Sequence, residues 1–106
     1  MPTIKVTGRR ARRKAVLSAY NTLVYSLGAY FQSVREHRGL DQEDVASQTG
    51  MGQTHVSWIE TGAWDQAGED RIRDYIRAVR LPNESLLIDV LEELDDLHRV
   101  LPRSLS

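Results

Sequence analysis

The chain has no cysteine, which excludes disulfides and thiolate metal sites and leaves the redox compartment open. Its three histidines, His37, His55 and His98, are too far apart for ligand spacing, so no metal is expected. No nucleophile–base set and no phosphate loop can be found, and 106 residues are too few for a deep pocket. An enzyme is therefore not expected, and no cofactor is implied. No apolar run approaches the roughly 20 residues that span a bilayer. The N-terminus is basic, but neither an apolar segment nor a small-residue cleavage site follows it. That excludes a secretory signal and leaves the cytoplasm as the expected location. No stretch reads as strand and no repeat is visible, so the expected fold class is all-α.

What is present is an ordinary globular composition with an uneven charge distribution. Apolar residues make up 41% and charged residues 27%, values that suit one small soluble domain. The net charge of −1 hides a split. Residues 1–40 hold eight Lys/Arg against the single Glu36, whereas residues 41–106 hold six Arg against fourteen Asp/Glu. One surface thus seeks polyanions while another repels them.

Read in order, residues 1–14 form a basic N-terminal arm. Within it Arg9, Arg10, Arg12, Arg13 and Lys14 supply five cations in six residues. Such a run is either a solvated helix start or a grip on phosphates. From Ala15 the apolar positions Val16, Tyr20, Leu23, Leu27, Phe31 and Val34 step by three and four, which predicts a long helix from about residue 10 to 37. Gly28 lies inside it at a cost of about 1 kcal/mol relative to Ala, either within one helix or at a bend. Gly39 closes the helix.

Asp41 is placed to cap a second helix, with Asp44 in a capping-box position. Gly50 supplies a turn, and Gly52 to Thr61 make a short third helix with Val56 and Ile59 facing inward. Gly62 stops that helix, and residues 63–68 read as a loop. A fourth helix runs from 69 to 81 with Ile72, Tyr75, Ile76 and Val79 inward, and Pro82 breaks it. Asn83 caps a fifth, roughly 84–100. Trp64 reads as a core anchor of its loop, and His37 and His98 as solvent-side residues.

A helix of about eight residues, a glycine turn and a second short helix describe a helix-turn-helix. The second of these helices leaves Gln53, Thr54, Ser57 and Trp58 facing out, with no acid among them. Glutamine pairs bidentately with adenine, and threonine bonds either purine or touches a thymine methyl. Such a face fits the floor of the DNA major groove. A small α-helical domain with a merely polar surface has the same pattern. His55 lies at the rim of this face, either as a plain surface residue or as a contact to the DNA backbone or a brace for the face.

The segment from Arg35 to Gly62 resembles the lambda-repressor-like helix-turn-helix family, the Cro/repressor or Xre type. The resemblance rests on Leu40, Gln42, Val45, Ala46, Gly50, the GMGQ turn, Val56, Ser57, Ile59, Glu60 and Gly62, and extends over residues 27–81. It implies a five-helix domain, here with an extended N-terminal helix. It also implies that Gln53 reads adenine, that Thr54 and Trp58 occupy further base-reading positions, and that Gln42 braces Gln53 and bonds a phosphate. Arg35 and Glu60 would form a buried ion pair. The chain departs from the family at Asp41, where Ser or Thr is common, and at Asp65, in a loop that often carries a cation. Grip on the DNA backbone would then fall to the N-terminal arm.

Family members bind pseudo-palindromic operators as two-fold dimers. The last helix, within a C-terminal segment 82–106 that follows the helix-turn-helix domain 15–81, carries a double apolar stripe. Leu87, Val90, Leu91, Leu94 and Leu97 are the expected homodimer contacts, with the first helix around Tyr20 and Val24 as the alternative. The leading expectation is a transcriptional regulator, repressor or Cro-like, of double-stranded DNA. An antitoxin that binds a toxin, or a module that contacts another protein partner, uses the same fold.

Overall fold

The computed structural model describes residues 8–100, and side chains from residue 14 onward. Six helices follow one another: α1 Gly8–His37, α2 Gln42–Thr49, α3 Gln53–Thr61, α4 Trp64–Ala67, α5 Glu69–Val79 and α6 Glu84–Val100. No strand occurs among the described residues. The basic run lies on the opening turns of α1. α1 continues through Gly28 without a break.

The glycine is there because α3 ends against it. A Cβ built on Gly28 would lie 2.7 Å from both the Ile59 and the Glu60 carbonyl oxygens, closer than side chains come to backbone. Gly62 completes the crossing from the other side: its φ is +87°, and an added Cβ would lie 2.9 Å from the Tyr25 Cα. Two glycines thus let α1 and the end of α3 touch backbone to backbone. The helix-propensity cost of Gly28 is the cost of that approach.

Between α2 and α3, Gly50 takes the left-handed conformation at φ 77 and donates its N–H to the Ala46 carbonyl. At the start of α2 the capping box is complete. The Asp41 side chain accepts from the Asp44 N–H at 2.8 Å, and Asp44 accepts from the Asp41 N–H at 2.9 Å.

Residues 63–68 differ from the expected loop. They contain the one-turn helix α4, so six helices rather than five occur among the described residues. Trp64 explains the turn. Its indole N–H donates to the Ile59 carbonyl at 2.9 Å, and its ring stacks on Phe31 at 5.8 Å. An anchored side chain draws the backbone into helical bonds from Gln66 and Ala67 to the Ala63 carbonyl.

A single core holds all of these helices. Val24, Phe31, Val45, Val56, Ile59, Ile72, Tyr75, Ile76 and Val79 are almost wholly buried. Leu91 and Leu94 of α6 belong to the same cluster, at 3% and 7% exposure. They are core residues of the monomer, not the free interface positions expected of them, because α6 packs onto α5 and α1. Leu87, Val90 and Leu97 are half-buried along the edge of that packing. Tyr20 and Val24, the alternative dimer contacts, are buried as well. His98 is also not a plain solvent residue: its ring stacks on Tyr20 at 5.1 Å and ties the end of α6 to α1.

Candidate nucleic-acid interface

The helix-turn-helix is braced from beneath by one buried carboxylate. Glu60, at 3% exposure, lies in the last turn of α3 facing α1. Arg35, at 6% exposure, donates from Nε to Glu60 Oε2 at 2.5 Å and from Nη2 to Oε1 at 3.0 Å. The remaining Nη1 reaches the Leu40 carbonyl at 2.8 Å and so fixes the entry to α2. Tyr75 of α5 donates its hydroxyl to Oε2 at 2.5 Å, and Gln42 of α2 donates its amide to Oε1 at 3.0 Å. One side chain therefore joins α1, α2, α3 and α5.

Burial by itself raises the Glu60 carboxyl. Hydrogen bonds from Arg35, Tyr75 and Gln42, with the Arg35 charge, outweigh it and hold the group below its ordinary value. The Tyr75 hydroxyl is pushed well up, first by burial and then by its bond to the Glu60 anion. At neutral pH the cluster is a carboxylate with a neutral phenol and a guanidinium.

The charge state sets a polarity that runs to the surface. A carboxylate only accepts, so Gln42 must turn its NH2 toward Glu60 and its oxygen away. That oxygen accepts from Gln53 Nε2 at 3.3 Å. Gln53 is left with its own carbonyl oxygen and one N–H free, the acceptor–donor pair that matches adenine N6 and N7. Gln53 and Thr54 are exposed at the start of α3.

The rest of the expected reading face is less open. Ser57 and Trp58 are half-buried, and Trp58 packs against the hydrophobic core. His55 is half-buried too, its ring edge-on to Trp58 at 4.9 Å, and its Nδ1 is buried without a hydrogen-bond partner in the protein. The wide outward face read from the sequence contracts to Gln53 and Thr54, with Ser57 at its margin. The side chains of Arg9, Arg10, Arg12 and Arg13 lie outside those described; Lys14 is exposed.

Tyr75 is the participant that the sequence did not single out. Its helical spacing marked it as core, and the only further signal was a hydroxyl on a core stripe, which must find a partner when buried.

The model of the helix-turn-helix domain family matches residues 26–87, more than half of the chain. The chain belongs to this family, in its lambda-repressor-like form. No curated protein and no solved structure matches it. The matched span opens within α1, encloses the Glu60 cluster and α3, and ends early in α6. It thus takes in every member of the bracing network and the exposed Gln53 and Thr54 at the start of α3. No helix among the described residues is long and apolar enough to cross a membrane.

Proposed function

We propose that this helix-turn-helix protein is a sequence-specific regulator of double-stranded DNA, repressor-like, which lays α3 in the major groove and binds a two-fold operator as a homodimer. The observation that carries the reading is the chain of hydrogen bonds from Glu60 through Gln42 to Gln53. It holds an exposed glutamine at the start of α3 in the orientation that adenine recognition requires. Thr54 extends the reading by one position, and Ser57 lies at its margin. Rigid support of this kind matters because a misplaced amide loses both of its bonds at once.

The α2 N-terminus contributes little grip on phosphate. Asp41, Glu43 and Asp44 crowd it, and the first and last of these are already joined in the capping box. Backbone affinity then falls to the cations at the start of α1, Arg9, Arg10, Arg12, Arg13 and Lys14. The same acidic rim, with Asp65 exposed on α4, favours a second reading in which this face meets a basic protein partner, as in an antitoxin.

Selection of bound sequences from a random duplex pool separates the two. Enrichment of a two-fold motif containing adenine at matched positions in each half supports the regulator. No enrichment, together with capture of a basic protein, supports the second reading.

A further inference from the structure

From Ala15 to Val34, α1 carries no Asp, Glu, Lys, Arg or His, a run of twenty residues in a chain of which 27% is charged. Lys14 and Arg35 bound it. The core accounts for only one side of this run, where Tyr20, Val24 and Phe31 are buried. On the adjoining flank Val16, Ala19, Leu23, Ser26, Tyr30 and Ser33 are all exposed. Val16, Leu23 and Tyr30 keep 41%, 43% and 43% of their surface. A helix flank left to water ordinarily carries charge. These six positions instead step alternately by three and four, the spacing of a seam between paired helices. Large side chains recur every seventh residue at 16, 23 and 30, and small ones every seventh at 19, 26 and 33.

We infer that this flank is where two copies of the chain pair, α1 against α1 in antiparallel. The inference rests on the dimeric reading above and supplies its surface. The seam is complementary to itself in one direction. With the two-fold axis between residues 24 and 25, Val16 meets Ser33, Leu23 meets Ser26, and Tyr30 meets Ala19. Each layer then holds one large and one small side chain, which lets two helices approach closely without voids. A parallel pair would set large on large. It would also bring the two basic segments, five cations each between residues 9 and 14, side by side. Antiparallel pairing sends them to opposite ends of the dimer.

The outer stripe of α6 does not offer the same fit. Leu86 and Val100 are exposed there, but Asp89, Glu93 and Asp96 share their side of the helix, so a self-pairing would stack acid on acid.

The test uses two exposed-site variants of the full chain, Leu23→Lys and Ser26→Glu, with Leu86→Lys on α6 for comparison. Sedimentation equilibrium reads the oligomeric state, and circular dichroism checks that the helices persist. Wild type is expected to be dimeric. Each α1 variant should raise the dimer dissociation constant by more than about tenfold, since a charge is buried in the seam unpaired. Leu86→Lys should leave that constant unchanged. Mixing the two α1 variants should restore a heterodimer, because residue 23 of one copy faces residue 26 of the other. Dimeric α1 variants, or dissociation by Leu86→Lys, would overturn the assignment of the surface, and a mixture that stays monomeric would overturn the antiparallel register. A monomeric wild type would overturn the dimeric reading as well, while sequence selection on duplex DNA would still report on the reading helix.

Discussion

Gly28 of α1 lies against the backbone of Glu60 at the end of α3, so closely that a Cβ on the glycine would reach the Glu60 carbonyl oxygen at 2.7 Å. Two effects oppose each other when Gly28 becomes Ala. Helix propensity favours Ala by about 1 kcal/mol. The added methyl meets two backbone carbonyls, which cannot swing aside as a side chain can, and overpacking of this kind costs about 1–3 kcal/mol. The Glu60 carbonyl also belongs to the residue on which the bracing network converges, so a shift there disturbs several hydrogen bonds together. Gly28→Ala should therefore destabilise, by about 1 kcal/mol net, seen as a fall in melting temperature of about 4–8 °C. A rise in melting temperature would mean that the two helices do not approach this closely.

The carboxylate of Glu60 makes stability depend on acid. Its folded value lies below the ordinary 4.5, so its stabilisation is fully present above that pH and is lost as the pH falls through the folded value. Glu60→Gln leaves Arg35 buried without its anion, a change that costs about 3–5 kcal/mol. Urea midpoints compared from about pH 7 to about pH 3 should show a constant gap between wild type and variant down to the ordinary carboxylate range, then a narrowing gap below it. A gap that stays constant throughout would mean that Glu60 does not titrate differently in the folded and unfolded chain. The measurement needs no DNA and isolates the network from its use.

The helices are legible in the sequence because their signals are local. Apolar spacing, Asp41 with Asp44, and the glycines at 39, 50 and 62 each act within a few residues. Residues 63–68 are not legible, because the one-turn helix there is made by a long-range anchor, the Trp64 indole on the Ile59 carbonyl. Arg35 and Glu60 come into view only through family resemblance, since nothing local joins residues 25 apart. Tyr75 and the Tyr20–His98 stack escape for the same reason. Periodicity places Trp58 and His55 outward because they lie off the buried stripe. It cannot tell that a large ring on a short helix folds back over the edge of the core.

The two stripes of α6 illustrate a further limit. Periodicity finds Leu87, Val90, Leu91, Leu94 and Leu97 but cannot say whether a second chain or the same chain covers them. In the structure Leu91 and Leu94 are covered by the monomer itself. Leu94→Asp should accordingly abolish cooperative folding rather than yield a folded monomer, because a buried carboxylate without a partner costs several kcal/mol in a small domain of limited stability. Circular dichroism during a urea titration checks this. A variant with wild-type helix content and a sharp transition would show that α6 is not needed by the core.

Binding to phosphates and binding to bases make different demands. If cations at the start of α1 supply the grip, Arg12→Gln with Arg13→Gln should weaken binding to every duplex about equally. The slope of log affinity against log salt should fall by about 0.9 for each phosphate that is no longer neutralised. Base preference should stay the same. An unchanged slope would place the phosphate grip elsewhere on the domain.

The relation between Gln42 and Gln53 calls for a double-mutant cycle, because the two residues are proposed to act as a unit. Gln53→Ala removes the amide proposed to read a base and should cost about 1–3 kcal/mol of discrimination at one base pair in each half-site. Gln42→Ala leaves that amide in place but no longer fixes it, since the bond at 3.3 Å is gone and with it the polarity set by Glu60. The effect should be smaller and confined to the same base pair. Once Gln53 is Ala, the amide that Gln42 orients no longer exists, so adding Gln42→Ala should cost little more. Affinities measured for both single variants and the double variant against a duplex and its single-base variant decide the matter. Strict additivity would mean that Gln42 touches the DNA on its own account and does not work through Gln53.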